Sequence, residues 1–256
     1  MRSVATSAAV LLALVMTSYE AKATSIIAVW TPNSTYIAAD SKMIHYENFD
    51  KNWTICKINA VNNVYWASAG ITRDVGVGFS VKQLVDDAMS RDLPLEMKFK
   101  TFEEEAKTGL SIEMNGVYKA KPEIFKTNFD HKDVLELVLS GFSNGANYLY
   151  FISFAAYFDP ISGTVKILLN KETKCPCEDN AAFAFGAHLA IDAELRQTPG
   201  LLHSSLESGD ELKRLIGLEI ARSPKDVGPP ISVLEIQNGA PRWIDKGTCT
   251  SASVNK

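Results

Sequence analysis

The spacing of hydrophobic positions changes several times after residue 24, and each change predicts a structural element. Short runs rich in β-branched and aromatic residues predict strands over 25–30, 35–39, 53–58, 64–69, 134–141, 148–158, 164–169, 181–185, 231–236 and 241–245. Apolar residues recurring at three- and four-residue intervals predict helices over 72–91, from 94 to about 110, over 189–195 and over 208–222. This mixture predicts an α+β chain.

The order of these elements restricts how they can pack. The chain begins with two hairpins, of which the first ends at Asp40 and the second turns at Asn62-Asn63. Two helices, three consecutive strands, a single strand and two more helices follow, and a last hairpin turns around Asn238-Gly239. Two antiparallel sheets covered on their outer faces by helices would bury every apolar face, which gives a four-layer αββα sandwich. We expect one domain over residues 24–247 and a loose C-terminal tail over 248–256.

The first 23 residues have the pattern of an export signal. Arg2 precedes an apolar run over 4–16 that is too short to span a membrane, and Ala21 and Ala23 supply the small-x-small pattern that signal peptidase reads. We expect removal of residues 1–23, with a retained N-terminal anchor as the alternative. No second apolar run reaches spanning length, so the processed protein is expected to be soluble, in the periplasm or outside the cell, with no membrane partner.

Composition narrows the class of partner. The 256 residues are 46% hydrophobic and 22% charged, which suits one globular domain. A net charge of −4, without any run of lysine or arginine, gives no electrostatic reason to expect a nucleic-acid partner.

The four cysteines leave their pairing open. Cys56, Cys175, Cys177 and Cys249 are too few for a disulfide-dense scaffold. We expect no bond between Cys175 and Cys177; a bridge from one of these to Cys249 and four unpaired thiols are both open alternatives. The spacing matches no zinc site, and no metal or other cofactor is expected.

Thr24 is the candidate nucleophile. Cleavage after Ala23 would make it the N-terminal residue, so its hydroxyl and a free α-amino group would belong to the same residue. An α-amino group has a pKa of about 7.7–8.0, and it can take the proton from the hydroxyl during attack.

Five short segments spread over the mature chain form a specific combination. In order they are Thr24-Ser25-Ile26-Ile27-Ala28, Ile37-Ala38-Ala39-Asp40-Ser41, Cys56-Lys57-Ile58, Ser68-Ala69-Gly70 with Asp74, and Asp226-Val227-Gly228. Together they resemble the proteasome-type β subunits of the N-terminal-nucleophile hydrolases. The resemblance implies the αββα fold and hydrolysis of peptide or other amide bonds through an acyl-enzyme.

The resemblance also implies roles for the charged residues. Thr24 would be the nucleophile, and Lys57 would lie beside its hydroxyl, lowering the pKa of the hydroxyl and of the amine through its positive charge. The apolar surroundings of Lys57 and Asp40 in sequence support an ion pair between them, because either charge would be costly to bury alone. A strand threonine, an exposed strand lysine and a turn aspartate are the alternatives without a catalytic role.

Three further positions match the family pattern. Gly70 corresponds to the glycine whose backbone N–H binds the oxyanion. Asp226 corresponds to a second carboxylate near the α-amino group. Ser68 corresponds to a wall of the pocket that selects the substrate side chain, and a small residue there suggests a large or apolar preference.

Two positions depart from the family pattern. A serine usually follows the glycine aligned with Gly186, and another lies shortly after the second carboxylate; this chain has Ala187 and Pro229 there. His188, Ser232 or a water molecule would have to replace these hydroxyls, or the enzyme would be slow, specialised or inactive.

The preferred hypothesis is therefore an exported threonine-type N-terminal-nucleophile hydrolase that cleaves peptide or other amide bonds through an acyl-enzyme on Thr24. The alternatives are a catalytically inactive binding or assembly module of the same fold, and an amidase acting on a small amide. The family stacks rings of subunits, so a homo-oligomer is compatible with the resemblance, although the sequence does not give the oligomeric state.

Overall fold

The computed structural model describes residues 24–44, 52–73, 78–198 and 209–249. The predicted export signal, Asp74 and the predicted helix start at Ser208 lie outside these ranges. No helix within them is long and apolar enough to cross a membrane.

Strands and helices alternate in blocks along the described chain. The strands are β1 (Ser25–Trp30), β2 (Ser34–Asp40), β3 (Lys42–Ile44), β4 (Asn52–Thr54), β5 (Asn59–Val61), β6 (Val64–Gly70), β7 (Lys132–Ser143), β8 (Ala146–Asp159), β9 (Thr164–Cys175), β10 (Ala181–Gly186), β11 (Ile231–Gln237) and β12 (Ala240–Asp245). The helices are α1 (Val81–Met89), α2 (Leu95–Ala120), α3 (Pro122–Asn128), α4 (Leu189–Gln197) and α5 (Gly209–Arg222).

The strands form two five-stranded antiparallel sheets. The first sheet has the order β10-β1-β2-β11-β12 and the second has the order β5-β6-β7-β8-β9, while β3 and β4 make a separate two-stranded ribbon. Tight turns fix the register of the hairpins: Asn62-Asn63, Asn144-Gly145 and Asn238-Gly239 all have positive φ at both residues, as a two-residue hairpin turn requires. The predicted α+β class with antiparallel sheets is confirmed.

Three clusters of buried apolar residues hold these elements together. One joins α1, α2 and α3 to the second sheet, with Phe102 and Leu137 among its members. Another joins the facing sides of the two sheets, through residues such as Ile37 and Val138. The last joins α4 and α5 to the first sheet and includes Leu215. Burial of this apolar area is the main force that stabilises the fold.

Several predicted boundaries are wrong. The helix predicted over 72–91 begins at Val81, because the Ser80 hydroxyl accepts a hydrogen bond from the Gln83 N–H (3.3 Å) and caps it there. Helix α2 continues to Ala120, well past the predicted end near 110. The turn at Asn62-Asn63 is where it was predicted, but it joins β5 to β6; β4 pairs with β3.

The cysteine prediction needs a larger correction. We expected no bond between Cys175 and Cys177, but they form a disulfide. The turn after β9 brings their Cα atoms within 4.4 Å of each other, a distance that a disulfide can span. The second disulfide joins Cys56 to Cys249, a pairing that we did not consider. Cys249 is buried, and the Thr248 hydroxyl hydrogen-bonds to the Ser41 hydroxyl at 3.0 Å, so these two residues of the predicted tail are held against the domain.

The two disulfides should differ in their effect on stability. Replacing both Cys56 and Cys249 by serine should lower the free energy of unfolding by up to about 5 kcal/mol, because this bond closes a loop of 193 residues in the unfolded chain. The bond between Cys175 and Cys177 closes a loop of only a few residues, so the matched Cys175→Ser, Cys177→Ser variant should lose far less of its free energy of unfolding. Urea unfolding of the two oxidised variants measures both effects, and equal losses would contradict the assignment.

Candidate active site

Thr24 immediately precedes β1, where the first sheet pairs β1 with β10. The Thr24 carbonyl oxygen accepts a hydrogen bond from the Ala187 N–H at 2.7 Å, one residue beyond the paired positions Ser25 and Gly186. Gly186 has φ +73°, and a Cβ at this position would lie 2.1 Å from the Thr24 oxygen. Only glycine therefore allows β10 to approach Thr24 this closely.

Asp40 is the central charge of the site. It ends β2 and is completely buried. Its Oδ1 accepts hydrogen bonds from the Lys57 ammonium (2.8 Å) and the Ser25 N–H (2.9 Å), and its Oδ2 accepts from the N–H groups of Lys42 (3.1 Å) and Gly228 (3.2 Å). Four donors, one of them charged, satisfy an ionised carboxylate in a buried position.

Lys57 lies beside the backbone of Thr24. Its ammonium and the Ser25 N–H share one oxygen of Asp40, so the two donors are no more than two hydrogen-bond lengths apart. The lysine side chain is only 7% exposed, and the preceding residue, Cys56, is fixed by its disulfide. The structure thus brings Asp40 and Lys57 together next to Thr24.

Gly70 ends β6 in the second sheet, at the same end of the fold. It has φ +98°, and a Cβ there would lie 2.4 Å from the Val134 carbonyl oxygen, so this position also requires glycine. The preceding residue, Ala69, faces Gly186: its Cβ is 3.0 Å from where a Gly186 Cβ would be. The two glycine-ended strands therefore meet beside Thr24.

Ser68 and Asp226 are the remaining predicted site positions. Ser68 is half-buried and alternates with Ala67 and Ala69, which face the other sheet, so Ser68 lies on the face that the helices cover. Asp226 is exposed in a turn after α5, where its N–H donates to the Ser223 carbonyl at 3.0 Å. Within the described residues, no hydrogen bond connects the Asp226 carboxylate to Thr24.

The groups suggested as substitutes for the missing hydroxyls have other partners. The His188 Nδ1 hydrogen-bonds to Asp192 at 2.9 Å. The Ser232 hydroxyl donates to the Lys246 carbonyl at 3.0 Å and lies against Cys249. Ser232 is therefore engaged in anchoring the C-terminal segment.

Glu136 is a site residue that the sequence reasoning missed. It is 3% exposed on β7, and its Oε2 accepts a hydrogen bond from the Gly186 N–H at 3.0 Å. A charged residue inside the apolar run 134–139 was the available signal, the same signal that indicated Lys57.

Nothing in the described ranges resembles a metal centre. No group of three or more histidine, cysteine, aspartate or glutamate side chains converges there. The groups that the described residues place beside Thr24 are the Asp40–Lys57 ion pair and the backbone N–H groups of Ser25 and Ala187.

Comparison with known proteins supports the fold. Protein-family models and curated proteins give no match. Among solved structures, the Gly-1 mutant of Anbu from Hyphomicrobium sp. strain MC1 is similar with a TM-score of 0.53 and 14% sequence identity, over 90% of each chain. At this identity the likeness concerns the fold alone: the chain has a proteasome-like fold, similar to that of Anbu. Such a fold carries many activities, so function has to be argued from the site.

Proposed function

We propose that this protein is an exported threonine-type N-terminal-nucleophile hydrolase that cleaves peptide or other amide bonds through an acyl-enzyme on Thr24. In this proposal the three apolar clusters separate four layers in the order helix, sheet, sheet, helix, and the site lies at one end of the two sheets. The observation that carries it is the buried Asp40 carboxylate, which binds Lys57 and the Ser25 N–H through one oxygen atom.

The proposed reaction uses only groups of this chain and water. The Thr24 hydroxyl oxygen attacks the substrate carbonyl carbon, and its proton passes through water to the α-amino group. The Gly70 N–H stabilises the oxyanion, and the Lys57 ammonium stabilises the developing negative charge on the nucleophile. The C–N bond then breaks, the leaving amine takes the proton, and an ester on Thr24 remains. A water molecule hydrolyses the ester and regenerates the hydroxyl.

Two features support export and processing. The small-x-small pattern at Ala21 and Ala23 would place the cut immediately before Thr24, so that signal peptidase exposes the nucleophile without self-cleavage. All four cysteines are paired in disulfides, which persist in oxidising compartments such as the periplasm or the extracellular space.

Substitution of Thr24 tests the proposal. Thr24→Ala, once mass spectrometry shows that it is processed at the same bond, should lose amide hydrolysis by on the order of 10⁴-fold or more, because no other hydroxyl accompanies the amine. Thr24→Ser keeps a hydroxyl and an α-amino group and should retain measurable activity. Hydrolysis of a peptide library and of simple acyl amides by the three proteins also separates a peptidase from a small-amide hydrolase. Unchanged activity in Thr24→Ala would remove the assignment.

Two observations favour the inactive-module alternative. The hydroxyls usual for this family are replaced by Ala187 and Pro229, and the Asp226 carboxylate is exposed. Under this alternative the wild-type protein carries a free N-terminal Thr24 yet hydrolyses nothing in either panel, and binds peptide without turnover.

A further inference from the structure

Glu136 is the charged member of a set of polar contacts between the two sheets. Residues of β7 alternate in facing: Leu135, Leu137 and Leu139 pack toward the helices, whereas Val138 packs toward the first sheet. Glu136 and Ser140 share the face of Val138. The Ser140 hydroxyl hydrogen-bonds to the Thr35 hydroxyl at 2.6 Å, and the Glu136 carboxylate accepts from the Gly186 N–H at 3.0 Å.

The Ser140 and Glu136 contacts reach different parts of the first sheet. Thr35 is near the start of β2, whereas Gly186 ends β10 at the residue paired with Ser25. Gly186 also precedes Ala187, whose N–H holds the Thr24 carbonyl at 2.7 Å. An unbroken path of two hydrogen bonds and the backbone of one residue, Gly186, thus connects Glu136 on the second sheet to the backbone of Thr24 on the first.

Glycine geometry makes this path sensitive to small movements. Gly186 has φ +73° and leaves no space for a Cβ against the Thr24 carbonyl or Ala69. Because glycine can adopt many backbone conformations, contacts with neighbouring groups have to select this one, and the nearly fully buried Glu136 carboxylate supplies such a contact at the Gly186 N–H.

We propose that Glu136 is a positioning residue for the nucleophile: by binding the Gly186 N–H it fixes the turn 186–187 and thereby the orientation of Thr24. This inference rests on the proposed function of Thr24. In this role Glu136 acts through Gly186: it supplies an acceptor oxygen that reaches the Gly186 N–H from the second sheet.

Two substitutions separate acceptor reach from charge. Glu136→Gln keeps an oxygen at the same distance along the side chain and loses the charge, whereas Glu136→Asp keeps the charge and withdraws the oxygen by one methylene. If acceptor reach matters, Glu136→Asp should lower the rate constant of Thr24 acylation by a β-lactone probe by about 100-fold, as displacements of about 1 Å do. Glu136→Gln should stay within a few-fold of the wild type. KM for an amide substrate should change little in either variant, because the loss falls on kcat.

Ser140→Ala is the matched control. It removes a contact between the sheets on the same strand and the same face, so it should change thermal stability while leaving the acylation rate constant of the folded protein unaltered. The inference would be overturned if wild type and Glu136→Asp had the same acylation rate constant, or if Ser140→Ala lost as much of it as Glu136→Asp. Glu136 would then have only a general structural role.

Amide hydrogen exchange separates this inference from the proposed function. Exchange at the Ala187 N–H can be measured by NMR whether or not Thr24 reacts. Glu136→Asp should accelerate exchange at Ala187 by about 10-fold or more relative to Glu136→Gln, because the turn loses its fixed partner. Faster exchange with an unreactive wild type means that the hydrolase proposal fails and the positioning contact stands. Unchanged exchange means that the positioning contact fails, whatever the activity.

Discussion

Replacing Asp40 by asparagine should abolish hydrolysis and also lower the free energy of unfolding by about 3–5 kcal/mol, since it removes the buried carboxylate charge that binds the Lys57 ammonium at 2.8 Å. The loss of activity follows from the same geometry, because Asp40 binds both Lys57 and the Ser25 N–H that adjoins Thr24, the proposed nucleophile. Urea unfolding gives the stability and amide hydrolysis gives the activity.

A double substitution separates these two effects. Asp40→Asn with Lys57→Met removes both charges, so much of the lost stability should return, because replacing a buried ion pair by neutral groups is often nearly neutral. Activity should not return, since the positive charge beside Thr24 is gone. A double variant that regains hydrolysis, or an Asp40→Asn protein as stable and active as the wild type, would contradict the ion pair's assigned role.

Replacing Gly186 by alanine should cost at least about 100-fold in hydrolysis, because its Cβ would lie 2.1 Å from the Thr24 carbonyl oxygen and backbone would have to move. The left-handed φ adds about 1–2 kcal/mol of destabilisation for any residue with a Cβ. Hydrolysis kinetics of the folded variant measures the loss of activity, and thermal unfolding measures the destabilisation.

Gly145→Ala provides the matched control. Gly145 has φ +79°, close to that of Gly186, but a Cβ there meets nothing within 4 Å. Its variant should show the backbone penalty alone and full activity. Similar losses of activity in both variants would mean that backbone strain, and not the contact with Thr24, causes the loss in Gly186→Ala.

Part of the site could be predicted from the sequence, because a charged residue within or at the end of an apolar run indicates a buried charge. Lys57 interrupts the apolar run Ile55 to Ile58, and Asp40 ends another, so each calls for a partner of opposite sign. The structure places them 2.8 Å apart. Glu136 gave the same signal and was missed, because its partner is a backbone N–H fifty residues away in the other sheet, which leaves no mark on residue type.

The errors in the fold have similar physical origins. The sequence predicts the segment 53–58 as the first strand of the second hairpin, but β4 ends at Thr54 and pairs with β3. The residues after Thr54 place Lys57 against Asp40, so tertiary contacts override local β-propensity. The end of α2 was placed too early although Leu110, Met114 and Val117 continue the helical spacing and are all buried. The Cys175–Cys177 bond depends on the turn after β9, which spacing alone does not define.

The intact mass of the exported protein before and after treatment with a β-lactone that acylates hydroxyl nucleophiles tests whether Thr24 is the N-terminal nucleophile. We expect a chain that begins at Thr24 and gains the mass of one probe, attached to Thr24 in the N-terminal peptide and absent from Thr24→Ala. A mature chain that begins at any other residue, or a probe attached elsewhere, would contradict this expectation.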